Sequence, residues 1–272
     1  MNPIDSLFQE LKKSQRKAFI PFITAGDPNL EITGKLILSL AGSGADIIEI
    51  GFPFSDPVAD GPVIQASYTR ALSHGLKIDE ILKTVHEVTS NSAHKLPPIV
   101  GMVSYSIIHR KNTEKFLLHC KASGLSGLIV PDMPVEETES IAALARQIDL
   151  KLILLVTPTT SDERIQKIGQ ISSGFLYCVS LVGITGERAE LPETIKEYLS
   201  KLRRLTTLPL CVGFGVSRKE QVQMLRDEVD GVIVGSAIVR LMEKIDPHNS
   251  GPGIKAVSEV VMELSQALNG PH

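Results

Sequence analysis

The chain has 272 residues, 43% hydrophobic and 22% charged, with a formal net charge of −3 and a pI near 6.2. That is enough apolar material for one large core, and the length falls within the range of a single α/β barrel. With no basic block, nucleic acid and anionic membrane are not expected as partners, which leaves small molecules and proteins. Residues 1–19 carry Asp5, Glu10, Lys12, Lys13, Arg16 and Lys17, so they lack the apolar centre of a signal peptide. No other apolar run is long enough to span a bilayer, and a cytoplasmic location is expected. Cys120, Cys178 and Cys211 have no CxxC spacing. They read as small packed hydrophobes, and neither metal nor disulfide is expected.

Taken in order, the chain repeats a short apolar strand followed by an amphipathic helix. A helix over Asn2–Lys13 precedes the first strand, Ala18–Thr24, and reads as a cover for one end of the fold. The helix Leu30–Ser43 and the strand Asp46–Ile50 follow. Two helical segments, Pro62–His74 and Ile78–Asn91, fill the longest gap before the strand Ile99–Val103. The pattern then runs through helix Thr113–Ser123, strand Gly127–Val130, helix Val135–Gln147, strand Leu152–Val156, helix Asp162–Gln170 and strand Phe175–Val179. It ends with helix Leu191–Leu205, strand Leu210–Gly213, helix Arg218–Asp227, strand Gly231–Val234 and, after Gly251-Pro252-Gly253, helix Ile254–Leu268. Eight such units predict a closed (β/α)8 TIM barrel, one domain over 1–272, with an extra N-terminal helix and an extra helix after the second strand. An open doubly wound sheet is the alternative.

In barrels of this kind chemistry gathers at the C-terminal strand ends. Those ends carry Phe22 and Thr24, Glu49, Ser104 and Tyr105, Asp132, Thr157, Tyr177 and Ser180, Gly213 and Gly215, and Gly235 and Ser236. Glu49 stands out because it interrupts the apolar, β-branched run Asp46–Ile50, where a lone charge costs several kcal/mol or takes up a proton. The loop after it, Gly51-Phe52-Pro53-Phe54-Ser55-Asp56-Pro57-Val58-Ala59-Asp60-Gly61, is rich in Pro and Gly and ends in a second carboxylate, Asp60. The blander readings are a structural ion pair for Glu49 and an N-cap of the next helix for Asp60. The runs Val212-Gly213-Phe214-Gly215-Val216-Ser217 and Val234-Gly235-Ser236-Ala237 are glycine turns that open helices. There backbone N–H groups can approach an anion, so together they predict a phosphate cup, although each alone could be an ordinary βα turn. No Walker or GxGxxG pattern is present, so the phosphate is assigned to a substrate. The long loop 181–190, hinged by glycines and carrying Thr185 and Gly186 as candidate contacts, reads either as a lid or as a plain surface loop.

The run IEIGFPFSDPVADGPVIQ, preceded by PFITAGDP and followed in order by GLIVPDMPVEE, VGITG, VGFGVS and GSAIV, resembles the tryptophan synthase alpha chain family over about residues 17–268. That resemblance implies a lyase that cleaves indole-3-glycerol phosphate by a retro-aldol route to indole and D-glyceraldehyde 3-phosphate. It implies no cofactor in this chain, and a beta-chain partner carrying pyridoxal phosphate in an alpha2-beta2 heterotetramer. By the same resemblance Glu49 is the catalytic acid/base and Asp60 the carboxylate that stabilises positive charge on the ring. Phe22, Ile64, Tyr177 and Phe214 would form the indole-binding wall, while Gly215, Gly235 and Ser236 belong to the phosphate cup read above from the glycine turns. The sequence departs from the family at Ser104-Tyr105-Ser106-Ile107, where many relatives carry Tyr or Asn. That region faces the beta chain in the family, so the strength of partner coupling is what the departure touches. Two rival readings remain: a noncatalytic subunit that senses a sugar phosphate and activates its partner, and a sugar-phosphate isomerase on the same fold.

Overall fold

Parallel strands alternate with helices around a barrel in the computed structural model, which describes residues 1–57, 60–134, 137–179, 192–213 and 215–270. Its strands among the described residues are β1 (Ala18–Thr24), β2 (Ile48–Gly51), β3 (Ile99–Met102), β4 (Gly127–Ile129), β5 (Lys151–Ile153), β6 (Leu155–Val156), β7 (Leu176–Val179), β8 (Leu210–Gly213) and β9 (Gly231–Val234). They pair in the order β5-β4-β3-β2-β1-β9-β8-β7-β6. Because β5 and β6 are separated only by Leu154, the two ends of this order meet and the sheet closes on itself. The closed barrel, rather than the open sheet, is therefore the architecture.

Nine strands replace the eight read from the sequence because one is split. The Ser173 hydroxyl accepts the Leu152 N–H at 3.0 Å and the Ser172 hydroxyl accepts the Leu154 N–H at 3.1 Å. Side chains from the next loop thus take ladder bonds that a neighbouring strand would otherwise make. The Leu154 carbonyl still accepts the Tyr177 N–H at 3.1 Å, which keeps the seam shut.

Helices α1 (Pro3–Lys13), α2 (Leu30–Ala41), α3 (Pro62–Ser73) and α4 (Ile78–Asn91) follow the expected segments closely. The Asn2 side chain caps α1 by accepting the Ile4 N–H and donates to the carbonyls of Ser126 (3.1 Å) and Asp149 (2.8 Å), just ahead of β4 and β5. With Ile4, Phe8 and Leu11 buried on its inner face, and Phe8 against Phe175 at 6.0 Å between ring centroids, α1 covers the N-terminal end of the barrel. Next come α5 (Tyr105–Arg110), which the sequence reading missed, then α6 (Thr113–Ala122), α7 (Thr138–Gln147), α8 (Asp162–Ile171), α9 (Glu193–Leu205), α10 (Lys219–Leu225), α11 (Ser236–Met242) and α12 (Ser250–Asn269). The last of these starts four residues earlier than expected. Gly251-Pro252-Gly253 forms its first turn, where a proline forfeits no intrahelical hydrogen bond.

A single apolar core runs through the described elements, from Ile4 on α1 to Leu268 on α12. The Asn269 side chain bonds the Lys17 N–H (2.7 Å) and carbonyl (2.9 Å), tying α12 to the start of β1. All three cysteines are buried and free. No helix among the described residues is long and apolar enough to cross a membrane.

At the centre of the barrel Gly51 is required by space. A Cβ on it would lie 2.4 Å from Phe22 Cζ and 2.7 Å from Tyr68 Oη, both on buried rings. Gly51→Ala is therefore expected to destabilise the chain by about 1–3 kcal/mol through overpacking. Thermal denaturation of the variant checks this, and an unchanged midpoint would mean that the two rings move aside freely.

Candidate active site

Side chains alternate faces along a strand, so Glu49 on β2 points into the barrel while Ile48 and Ile50 pack outward against helices. Phe22 on β1 is in register with Glu49 and shares its face. Above them a cleft of about 280 Å3 opens at the C-terminal end of the strands, where barrels carry their chemistry. Phe22, Glu49, Asp60, Ile64, Tyr177, Gly215, Gly235 and Ser236, scattered over more than two hundred positions of sequence, all line it. Thr185, Gly186 and Phe214, the other candidates, lie outside the described residues.

Glu49 is fully buried, and neither of its carboxylate oxygens has a hydrogen-bond partner among the described residues. A structural ion pair does not account for it. Burial, reinforced by the negative charge of Asp60, pushes its pKa up to about 8, so at neutral pH it holds a proton. Asp60 sits at the mouth of the cleft. Its pKa is raised less, to about 6, by burial and then by Asp132, so it is mainly ionised at neutral pH. Two carboxyl groups in one cleft thus differ in protonation because their surroundings differ. Tyr68 and Tyr177 are held neutral by burial and by these same carboxylates.

The capping reading of Asp60 fails. The N-cap of α3 is Gly61, no side chain caps it, and Pro62 opens the helix without needing an acceptor. The carbonyl of Asp60 accepts from Gln65 Nε2 at 2.7 Å, which fixes the backbone of the loop and leaves the carboxylate to the cleft.

The two glycine turns prove unequal. After β8, Gly215 is needed for its left-handed backbone (φ +82°), but α10 begins only at Lys219. The N–H groups of Ser217 and Arg218 at its start already donate to the Gln221 side chain at 2.7 and 2.9 Å. Gly213 is small for another reason: a Cβ there would lie 2.3 Å from Tyr177 Oη. After β9, by contrast, α11 starts immediately at Ser236, and its N-cap Gly235 supplies no side-chain cap. Among the described residues the first N–H groups of α11 are thus not satisfied by a side chain, and they adjoin the cleft. The nearest atoms to a Cβ on Gly235 would be those of Phe22, at an ordinary 3.6 Å. Gly235→Ala should therefore fold normally. Gly235→Leu is expected to fold as well, yet to raise KM for a phosphorylated substrate about tenfold or more and to weaken inhibition by glycerol phosphate in parallel, because its bulk fills the anion's place. Unaltered inhibition would put the phosphate elsewhere.

Val216, Ser217 and Ala237, which belong to the two predicted glycine turns, also line the cleft, whereas the sequence reading missed Met102, Ile233 and Arg240 on its wall. Met102 and Ile233 follow from strand alternation alone; Arg240 follows only once α11 is known. Among the described residues no cluster of His, Cys, Asp and Glu is suited to a metal.

Ser104 has a different place from the partner-facing rim expected of it. It is buried, caps α5 by accepting the Ser106 N–H at 3.2 Å, and donates to Asp132 at 2.6 Å. Asp132 also accepts the Tyr105 N–H at 2.7 Å, so Ser104 and Asp132 together hold the start of α5.

A family model described as tryptophan synthase alpha chain matches residues 8–269. The tryptophan synthase alpha chain of Rhodopirellula baltica is 44% identical over 272 residues, 98% of each chain. Among solved structures, tryptophan synthase subunit alpha from Legionella pneumophila superposes with a TM-score of 0.89 at 34% identity, covering 98% of each chain. A chain from the tryptophan synthase a2b2 complex of the hyperthermophile Pyrococcus furiosus superposes with a TM-score of 0.83 at 39% identity, covering 92% of this chain and 98% of that one. On a barrel whose cleft brings together the residues that carry the motif, matches of this extent mean that the chain belongs to the tryptophan synthase alpha chain family.

Proposed function

We propose that Glu49 and Asp60 perform the alpha reaction of L-tryptophan biosynthesis, the retro-aldol cleavage of indole-3-glycerol phosphate to indole and D-glyceraldehyde 3-phosphate. The observation that carries this assignment is a fully buried carboxyl with no hydrogen-bond partner for either oxygen among the described residues, beside a second, ionised carboxylate in the same cleft. Glu49 enters the reaction protonated and gives its proton to C3 of the indole ring. The ring nitrogen then shares the positive charge, and the Asp60 carboxylate stabilises it. Glu49, now a carboxylate, takes the proton of the glycerol hydroxyl. The C3–glycerol bond breaks, its electron pair returns to the ring, and the hydroxyl carbon becomes the aldehyde. Indole leaves neutral and Glu49 ends as it began, so one group serves as acid and then as base.

Phe22, Ile64 and Tyr177 supply an apolar wall for the ring, with Phe214 as a further candidate, while Gly215, Gly235 and Ser236 receive the phosphate and Thr185 and Gly186 remain candidate contacts outside the described residues. The steps are acid–base chemistry and call for no cofactor in this chain. One apolar core shared by all described elements supports a single domain over 1–272. The Pyrococcus furiosus relative was solved as an a2b2 complex, which supports a beta chain as partner here in an alpha2-beta2 assembly. Pyridoxal phosphate in that partner and a cytoplasmic location belong to the proposal through the family resemblance. Because Ser104 is buried, the partner-facing anchors are assigned to Tyr105 and His109, whose rings lie 6.1 Å apart on α5. Weaker activation of Tyr105→Ala by the cognate beta chain supports that assignment, and unchanged activation removes it.

A subunit that only senses a sugar phosphate needs no buried, protonated carboxyl, and an isomerase needs no apolar wall for indole. Turnover of indole-3-glycerol phosphate with both products quantified tests the reading. Indole and glyceraldehyde 3-phosphate in equal amounts are expected, and phosphate-dependent binding without indole release would overturn it.

A further inference from the structure

Arg240 is the one cation among the described residues that line the active cleft, whose other ionisable lining groups are the acids Glu49 and Asp60 and the phenol of Tyr177. It has no ion-pair or hydrogen-bond partner among the described residues, although carboxylates are close in sequence. Glu243, three positions on, is bound instead by Arg70 at 3.3 Å, and Arg70 in turn grips Asp27 through both Nε and Nη2, at 3.1 and 2.8 Å. The guanidinium of Arg70 is thus committed to joining α3 to the loop after β1 and to the end of α11, whereas that of Arg240 is uncommitted.

Arg240 stands four residues after Ser236, and on a helix positions i and i+4 share one face. Ile238, Val239 and Met242 take the buried face of α11, which leaves Ser236 and Arg240 together on the exposed face that borders the cleft. Helical side chains lean toward the helix N-terminus. The guanidinium of Arg240 is thereby directed back along α11 toward the turn at Gly235 and Ser236, the place assigned above to the phosphate. A planar fork of N–H donors there matches two phosphate oxygens, and its charge offsets that of a dianion brought into a cleft already lined by two acids.

We propose that Arg240 is a specificity-determining residue of the alpha reaction: it pairs directly with the phosphate of the substrate and selects phosphorylated over unphosphorylated glycerol-bearing compounds. The inference rests on the cleavage reading above and adds a side-chain contact to a cup otherwise made of backbone. Because the pair is partly solvated, its effect is moderate and falls with salt.

The test compares wild type, Arg240→Ala, Arg240→Gln and Arg240→Lys for cleavage of indole-3-glycerol phosphate, for inhibition by glycerol 3-phosphate and for binding of indole, which has no phosphate. Arg240 is exposed, so all three variants should fold, and circular dichroism verifies it. For Ala and Gln, KM and the inhibition constant of glycerol 3-phosphate are expected to rise about tenfold at low salt, with the loss in KM rather than kcat. Lys should recover most of the loss, and indole binding should not change. The wild-type salt dependence of KM should flatten in the Ala variant. If wild type cleaves the substrate and is inhibited by glycerol 3-phosphate, yet Ala and Gln are inhibited equally well, the assignment of Arg240 is overturned while the cleavage reading stands. If wild type neither cleaves nor is inhibited, the cleavage reading falls and this one falls with it.

Discussion

Glu49→Gln is expected to lower the rate of indole-3-glycerol phosphate cleavage by about 10³-fold or more while the folded protein becomes more stable at alkaline pH. The first half follows from chemistry: glutamine keeps the shape of the side chain but can neither protonate C3 nor take up the hydroxyl proton, and positioned acid–base groups contribute about 10²–10⁴-fold in rate. The second half follows from burial. Glu49 titrates near 8 in the folded chain against an ordinary 4.5, so between those values the folded state holds a proton that the unfolded chain releases. Stability contributed by this group is therefore complete below about pH 4.5 and drains away as pH rises to about 8. Glutamine does not ionise, so the variant should match wild type near pH 4.5 and exceed it at pH 9. The gain should be of the order of a few kcal/mol, since each tenfold change in proton affinity is worth about 1.4 kcal/mol. Thermal melts at the two pH values, run beside the rate assay, read both halves. Residual activity within tenfold of wild type would remove Glu49 from the chemistry, and a melt difference independent of pH would remove the burial argument.

Asp60→Asn is the second large effect. Asparagine fills the same space without the charge, so the positive ring of the protonated intermediate loses its fixed anion. Loss of one preorganised electrostatic partner typically costs about 10²–10³-fold, and the expected loss here lies at the lower end, below that of Glu49→Gln. The reason is that proton transfer is a requirement of the reaction, whereas charge stabilisation is graded. The variant also carries a coupled signature. Asp60 is the second cause of the elevated pKa of Glu49, so removing its charge should lower the alkaline limb of kcat/KM. Wild type should also lose activity below about pH 6 as Asp60 protonates, and this limb should weaken in the variant. The phosphate of the substrate titrates near the same pH, about 6, so the comparison of the two proteins, not the wild-type profile alone, assigns the limb. An unchanged rate and an unchanged profile in Asp60→Asn would return Asp60 to a purely local role in its loop.

What the sequence made legible follows from which interactions are local. Strands β1, β8 and β9 match the expected limits because an apolar run bounded by glycine or charge is its own signal. Glu49 was visible because a carboxylate inside such a run conflicts with its surroundings, and such conflicts gather at functional sites. The split at Leu154 was not visible, since it depends on the hydroxyls of Ser172 and Ser173, some twenty residues further on. Nor was the role of Ser104: serine is a common cap, but Asp132, which fixes it, comes from the next strand end. The difference between the two glycine turns was hidden for the same reason. Only the fold shows that Gln221 already satisfies the donors after Gly215, while no described side chain does so after Gly235. Arg240 lay on a seven-residue helix too short to show a periodic face.

The claim on which the mechanism stands is that Glu49 is a neutral acid at physiological pH. Its most direct measurement is an NMR titration of the side-chain carboxyl carbon in isotopically labelled wild-type protein, with the Glu49→Gln variant identifying the resonance. A midpoint near pH 8, moving lower in Asp60→Asn, is the predicted result. A midpoint near 4.5 would show a carboxylate already ionised at neutral pH and would contradict the mechanism.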